Sequence, residues 1–172
     1  MRKLVLLVAA SALTACVSNG EPAGGAPIPL VNSAGQSIGS VRTWQTSGGV
    51  AFRIYATGLP HGLHGIHVHS VGRCDPPDFA SAGPHWNPLG RQHGLNNAAG
   101  PHAGDMRNVE VAANGVLQTT VVLPGASMAS LLDVDGAALV LHASPDDYVT
   151  DPSGNSGARI ACAVIQPAAE IR

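Results

Sequence analysis

The regular alternation of large apolar and smaller or polar residues is the feature that most constrains the fold of this chain. From Val50 to Tyr55 the large apolar side chains recur at every second position, and the turn-forming Gly58 and Pro60 follow. This pattern predicts a half-buried strand. The composition, with 21 glycines, 13 prolines and only 12% charged residues, is typical of loop-rich β structure.

Similar short runs, separated by turns such as Asn32 to Gln36 and Asn114-Gly115, predict further strands. Pro29 restricts the first of them to a sheet edge or a strand start. Only residues 126–132 have the pattern of a helical turn. Together these runs predict an antiparallel sandwich or flattened barrel, with strands at 28–31, 37–46, 64–70, 106–112, 115–123, 137–142 and 159–165.

The first fifteen residues have the pattern of a secretory signal, in which Arg2 and Lys3 precede a short apolar run. The run is too short to span a membrane. Residues 13–16 resemble a bacterial lipobox, which predicts a lipid anchor on Cys16, a flexible tether over 16–27 and a folded domain over 28–172. Ordinary cleavage near this position is the alternative. Export to the cell envelope or periplasm follows from either interpretation.

The cysteine count agrees with export. With Cys16 assigned to lipid, Cys74 and Cys162 remain as one pair, which an oxidising compartment favours as a disulfide over two buried thiols.

The charge balance argues against a nucleic-acid partner. Without Arg2 and Lys3 the chain has seven arginines and no lysine, against eleven acidic residues. A basic, phosphate-binding surface is therefore not expected.

Alternation along the predicted strand 64–70 assigns each of its histidines to the core face or to the opposite face. Ile66 and Val68 have the core parity, so His67 and His69 project together from the opposite face, where they can grip one ion. His64 shares the core parity and is expected to be a hydrogen-bonded structural residue. The remaining early histidine, His61, follows Pro60 and is expected on a surface loop.

Residues 81–105 have neither strand nor helix periodicity, which is typical of a long functional loop. The loop carries three imidazoles and a carboxylate, a full tetrahedral set for a structural zinc ion: His85, His93, His102 and Asp105.

A second set consists of His67, His69 and His142, which ends the apolar strand 137–142. A fourth imidazole would complete a square arrangement that suits Cu(II). His85 can complete it only if its deprotonated ring bridges two metals, a step that spacing alone does not decide.

Four stretches carry a resemblance to a known family: 65–74 (GIHVHSVGRC), 83–88 (GPHWNP), 141–142 (LH) and 154–162 (GNSGARIAC). With His93, His102 and Asp105 between them, they resemble the copper-zinc superoxide dismutases over residues 27–166. The division of four residues between His69 and Cys74, and ten between Cys74 and His85, resembles bacterial exported members. Among these the oligomeric state varies, so a monomer and a homodimer both stay open.

The resemblance implies an all-β, eight-stranded antiparallel Greek-key β-barrel, flattened and immunoglobulin-like, with long metal-binding loops. It implies copper bound by His67, His69, His85 and His142, and zinc bound by His85, His93, His102 and Asp105. It also implies a disulfide between Cys74 and Cys162, a carboxylate at Asp146 that links the copper and zinc histidines, and Arg159 beside copper as the residue that attracts superoxide. The implied activity converts superoxide to O2 and hydrogen peroxide by Cu(II)/Cu(I) cycling, with His85 exchanging a proton.

Two rival interpretations keep the metals but change the function. A catalytically silent copper and zinc binding or buffering lipoprotein would have no use for an anion-attracting Arg159. A cupin-like metalloenzyme also uses a His-x-His pair, but it recruits a glutamate soon afterwards, and this chain has none there. The stretch between His142 and Arg159 has no lysine, so guidance of the anion is expected to depend mainly on Arg159. Trp86 is expected to be a packing residue.

Overall fold

The structure, a computed structural model, describes residues 25–165, and most of its regular elements are strands. The strands are β1 (Ile28–Asn32), β2 (Ser37–Thr46), β3 (Gly49–Ala56), β4 (Gly62–His64), β5 (Ile66–His69), β6 (Val109–Val111), β7 (Leu117–Pro124), β8 (Ala137–His142) and β9 (Arg159–Ile165). A single helical turn, α1 (Met128–Leu131), and a short 3-10 helix (Ala80–Ala82) complete the described elements.

The strands form a Greek-key barrel. Seven of them make one antiparallel sheet in the order β5-β8-β9-β1-β2-β3-β7, and β4 pairs with β6. Only Gly65 separates β4 from β5, and a tight turn joins β6 to β7, so these segments link the two edges of the sheet. Counted as one interrupted strand, β4 and β5 bring the total to the predicted eight. The β3–β4 and β7–β8 connections pass over intervening strands, as a Greek key requires.

Most predicted strand bounds agree with the structure. The predictions 37–46, 137–142 and 159–165 coincide with β2, β8 and β9. The predictions 64–70 and 106–112 are too long, because the backbone beyond β5 and β6 bonds to loops or turns instead of a strand. Pro29 lies at the start of β1, as predicted: it is paired with Ser40 of β2, and β1 pairs with β9 only at Val31 and Asn32.

One apolar core fills the barrel, and it includes Phe52, Ile54, Val68 and Leu139, each at most 1% exposed. Burying a side chain of this size stabilises the fold by about 1.5–3 kcal/mol. Trp86 packs against this core, as predicted.

The opposite parity of β5 and β8 faces out of the barrel, but it is not exposed to solvent. The loop over residues 81–105 covers the β5 part of this face, so that His67 and His69 are buried. The metal-type side chains therefore lie between the barrel wall and this loop.

A disulfide joins Cys74 to Cys162 with a Cα–Cα distance of 5.7 Å, which confirms the predicted pair. It attaches the segment after β5 to β9, where Phe79, Ala138 and Val140 form a second small apolar cluster. In the chain-entropy model, closing a loop of this length restricts the unfolded ensemble by about 4–5 kcal/mol at most. The bond suits an oxidising, exported environment.

The predicted signal segment 1–15 and Cys16 lie outside the described residues. Within residues 25–165, no helix has the length and apolar content needed to cross a membrane.

Candidate metal centre

The backbone of the long loop pairs with the outer edge of β5. Val68 donates its N–H to the carbonyl of Gly104 at 2.9 Å and accepts from the N–H of Trp86 at 2.8 Å. These bonds set Asp105 opposite His67 and His85 opposite His69 as isolated bridges. Residues far apart in sequence thus become neighbours through main-chain hydrogen bonds.

A β-bulge between β8 and β9 orients His142 toward the same site as His67 and His69. Leu141 pairs with Ala161, but His142 pairs with Arg159, so Ile160 is the extra residue. A bulge locally bends and twists the strand and redirects its side chains. His142 and Arg159 consequently lie side by side at the mouth of the centre.

Four buried ring nitrogens in the described chain have no hydrogen-bond partner: Nδ1 of His67 and Nε2 of His69, His85 and His142. The four residues form a group whose ligand atoms lie within 4.8 Å of one another. Metal–nitrogen bonds of about 2 Å put opposite ligand atoms about 4 Å apart. An unpaired buried nitrogen costs about 1–3 kcal/mol, so this convergence fits a metal ion, and four imidazoles suit copper.

The other nitrogen of each of these rings is anchored, which fixes the direction of the unpartnered one. The anchoring contacts are His67 Nε2 to Asp146 Oδ2 at 2.8 Å, His69 Nδ1 to the Gly83 carbonyl at 2.8 Å, His85 Nδ1 to Asp105 Oδ1 at 2.9 Å, and His142 Nδ1 to the Gly157 carbonyl at 3.2 Å.

A second group of ligand atoms surrounds the carboxylate of Asp105. Asp105 Oδ1 lies 2.9, 3.0 and 3.5 Å from Nδ1 of His85, His93 and His102, and the His85 and His102 Nδ1 atoms are 3.4 Å apart. A tetrahedral zinc ion with bonds of about 2.0 Å has ligand atoms about 3.3 Å apart. The group of ligand atoms that all lie within 4.8 Å of one another contains His67, His85, His93 and Asp105, and does not contain His102. His67, however, is bound to Asp146 through its Nε2, whereas His102 Nδ1 lies 3.5 Å from Asp105 Oδ1 and 3.4 Å from His85 Nδ1. The donor set therefore fits zinc.

Asp105 and Asp146 hold the second group of ligands in position. Asp105 accepts through Oδ2 from the backbone N–H groups of Gly94 and His102. Asp146 contacts His67 through Oδ2 and His93 Nε2 through Oδ1 at 3.0 Å, and so touches both groups of ligands. Gly154 packs against Asp146 with φ 63°, where a Cβ would overlap Oδ1, so only glycine fits.

Three of the four histidines with an unpartnered nitrogen are held neutral: His69, His85 and His142. Burial, reinforced by neighbouring His85, lowers the pKa of His69 to about 2. Burial likewise lowers the pKa of His142 to about 3 and that of His85 to about 4. Neutral imidazoles have lone pairs available for a metal at physiological pH.

His93 differs because two carboxylates face it. Burial lowers its pKa, but hydrogen bonds to Asp105 and Asp146 outweigh burial and raise the pKa to about 9. Burial would raise the pKa of each of these carboxyls, but hydrogen bonds from the histidines outweigh it and hold the pKa well below its usual range.

Arg159 lines the cavity that opens onto His69, His85 and His142. Its guanidinium donates to the carbonyls of Phe79 at 2.7 Å and Gly83 at 2.8 Å, which fixes its position. A positive group with a fixed position in this cavity can attract a small anion.

The sequence also placed two other histidines correctly, His64 by its parity and His61 by its position after Pro60. His64 is buried, with Nδ1 2.8 Å from the His142 carbonyl and Nε2 2.9 Å from the Pro60 carbonyl, whereas His61 is exposed. Asn108 was missed: its side chain bonds both the N–H and the carbonyl of Asp146. No local motif distinguishes this asparagine from an ordinary loop residue.

We expect zinc binding to metal-free protein at pH 8 to release about one proton from His93, because zinc needs the neutral ring. His69 and His142 are already neutral and should release none when copper binds to protein without zinc, in which His85 need not be deprotonated. Calorimetry in buffers of different ionisation enthalpy measures the difference. Zinc binding without proton release would contradict the assignment.

The raised pKa of His93 also stabilises the metal-free fold fully below pH 6.5, and this contribution is lost as the pH rises through about 9.

Known proteins are similar to this chain in sequence and in fold. The family model described as copper/zinc superoxide dismutase (SODC) matches residues 37–165. "Superoxide dismutase [Cu-Zn] 1" of Aquifex aeolicus is 45% identical over 143 residues, which cover 80% of this chain and 85% of that protein. "Superoxide dismutase-like protein YojM" of Bacillus subtilis is 41% identical over 80% of this chain and 74% of its own length.

Solved structures agree with the sequence comparisons. A superoxide dismutase-like protein from Bacillus subtilis superposes with a TM-score of 0.79 at 41% identity, covering 83% of this chain and all of that one. Copper/zinc superoxide dismutase from Brucella abortus gives a TM-score of 0.70 at 28% identity over 83% of this chain and 99% of its own. With most of its length matched and a histidine cluster able to hold metal, this chain belongs to the copper/zinc superoxide dismutase family.

Proposed function

We propose that this protein is a superoxide dismutase, which converts two superoxide ions and two protons into O2 and hydrogen peroxide. The observation that carries the proposal is the convergence of four buried, unpartnered imidazole nitrogens beside Arg159. Family membership alone would not suffice, because one similar protein is named only superoxide dismutase-like.

Each of the two groups of ligands would bind a different metal. His67, His69, His85 and His142 would hold copper, and His85, His93, His102 and Asp105 would hold zinc. When bound, copper supplies a Cu(II)/Cu(I) couple that can accept an electron from one superoxide and return it to the next. The zinc group has four protein ligands, which is typical of a structural site.

His85 lies between the two groups and has a separate role for each ring nitrogen. Its Nδ1 belongs to the zinc group beside Asp105, and its Nε2 belongs to the copper group. Because Nδ1 is committed, Nε2 is the atom of this ring that can take up and return a proton during turnover. Anchoring through Nδ1 keeps that proton at one position in the cavity.

Arg159 favours an enzyme over a silent metal-binding protein. Its guanidinium is held by two carbonyls in the cavity onto which three of the copper histidines open. A buffering protein gains nothing from a cation placed there, since the cation opposes metal binding. An enzyme that uses an anionic substrate gains local attraction.

Protein loaded with copper and zinc should dismutate superoxide in a stopped-flow assay that follows superoxide absorbance. The matched control is the same protein loaded with zinc alone, in which superoxide should decay only at the buffer rate. Decay no faster than buffer with both metals bound would reject the proposed function.

Arg159→Gln should slow the reaction by roughly 10-fold or more and flatten its dependence on ionic strength, because local attraction of the anion is lost. Arg159→Lys keeps the positive charge and should retain the salt dependence. Metal content and the unfolding midpoint should be measured for both variants. An unchanged salt dependence in Arg159→Gln would show that the substrate is guided by other groups.

We further propose that the protein is exported and held at the envelope membrane by a lipid on Cys16. The support is the lipobox pattern over residues 13–16 and the disulfide, which favours an oxidising compartment.

Cys16→Ser should move the protein from the membrane fraction to the soluble fraction when cells are fractionated. Cys16 is the acylated residue in the proposed pattern. Ser11→Ala lies outside residues 13–16, leaves that cysteine in place and serves as the control. Membrane association of Cys16→Ser equal to the wild type would exclude the lipid anchor.

A further inference from the structure

Asp151 lies in the loop between β8 and β9 and touches the zinc group at two points. Its Oδ1 accepts a hydrogen bond from the backbone N–H of His93 at 2.6 Å. The same atom lies 3.7 Å from Nε2 of His102. Neither contact involves Asp146, which serves the other side of the centre.

His102 is the zinc-group ligand most in need of such a partner. Its Nδ1 faces Asp105 and His85, so its Nε2 must carry the ring proton when Nδ1 binds a metal. Metal-binding histidines almost always donate this second N–H to a carboxylate, carbonyl or water. His102 is also the most exposed residue of the group, at 8%, and lies where two surface cavities meet.

Every other histidine of the zinc group has its outer nitrogen assigned. His93 Nε2 is bound by Asp146, and His85 Nε2 faces the copper group. In the described chain, Asp151 is the carboxylate within ion-pair distance of His102 Nε2. A shift of about 1 Å would turn the 3.7 Å contact into a hydrogen bond.

We propose that Asp151 is a positioning residue for zinc, which orients the ring of His102 through Nε2 while fastening His93 through its backbone. The inference rests on the proposed zinc group and deepens it. One half-exposed carboxylate would then connect the metal loop of residues 81–105 to the loop that ends at Arg159, so that zinc binding orders both.

Asp151→Asn tests the negative charge that faces His102. The asparagine oxygen still accepts from the His93 N–H, but the negative charge facing His102 is lost. Zinc affinity, measured by competition with a chromogenic chelator on metal-free full-length protein, should fall about 10- to 100-fold. Asp133→Asn is the control for charge, because Asp133 lines the same two cavities without contacting the His102 ring. Its zinc affinity should stay within about threefold of the wild type.

A double-mutant cycle tests whether Asp151 acts through His102. In the His102→Ala background, Asp151→Asn should change zinc affinity by less than about threefold. Cobalt in place of zinc adds a spectroscopic signature: the visible band should change in Asp151→Asn and not in Asp133→Asn, since ligand geometry sets it.

The outcomes are distinguishable. If wild-type protein does not bind zinc, the proposed function itself fails. If the wild type binds zinc and Asp151→Asn binds it equally well, or loses the same affinity with and without His102, the role of Asp151 is overturned. Asp151→Glu retains the carboxylate and should keep more zinc affinity than Asp151→Asn. An equal loss in both would attribute the effect to loop packing and overturn the proposal.

Discussion

The pairing of the loop over residues 81–105 with the edge of β5 is the interaction on which the rest of the site depends. The loop has no apolar periodicity of its own, and only a few of its side chains, such as Trp86 and Ala82, pack against the apolar clusters. Main-chain bonds to Val68 hold its two ends, and Asp105 gathers Gly94 and His102 inside it. These few hydrogen bonds position four of the proposed ligands and the loop segment that covers His67 and His69.

The centre is costly to the fold until metals bind. Four buried nitrogens without partners cost about 1–3 kcal/mol each, a sum comparable to the whole stability of a typical domain, about 5–15 kcal/mol. Metal binding removes the cost, so metal affinity and folding stability are coupled.

A second chain of contacts joins the disulfide to the cavity. Cys162 on β9 forms a disulfide with Cys74. The segment after Cys74 contains the carbonyls of Phe79 and Gly83, which accept hydrogen bonds from Arg159. The Gly83 carbonyl is also hydrogen-bonded to His69. One covalent bond therefore supports both the proposed anion guide and one proposed copper ligand, although it touches neither.

The sequence by itself determined the strands and the chemical character of the site. Alternation placed β2, β8 and β9 to the residue, and parity separated outward His67 and His69 from structural His64, because side-chain direction along a strand is a local property. Only the tertiary structure decided that His85 faces both groups, that a bulge brings His142 beside Arg159, and that Asn108 and Asp151 support the ligands. Those relations depend on loop closure and on contacts between residues as far apart in sequence as His93 and Asp151, 58 positions, which no local pattern encodes.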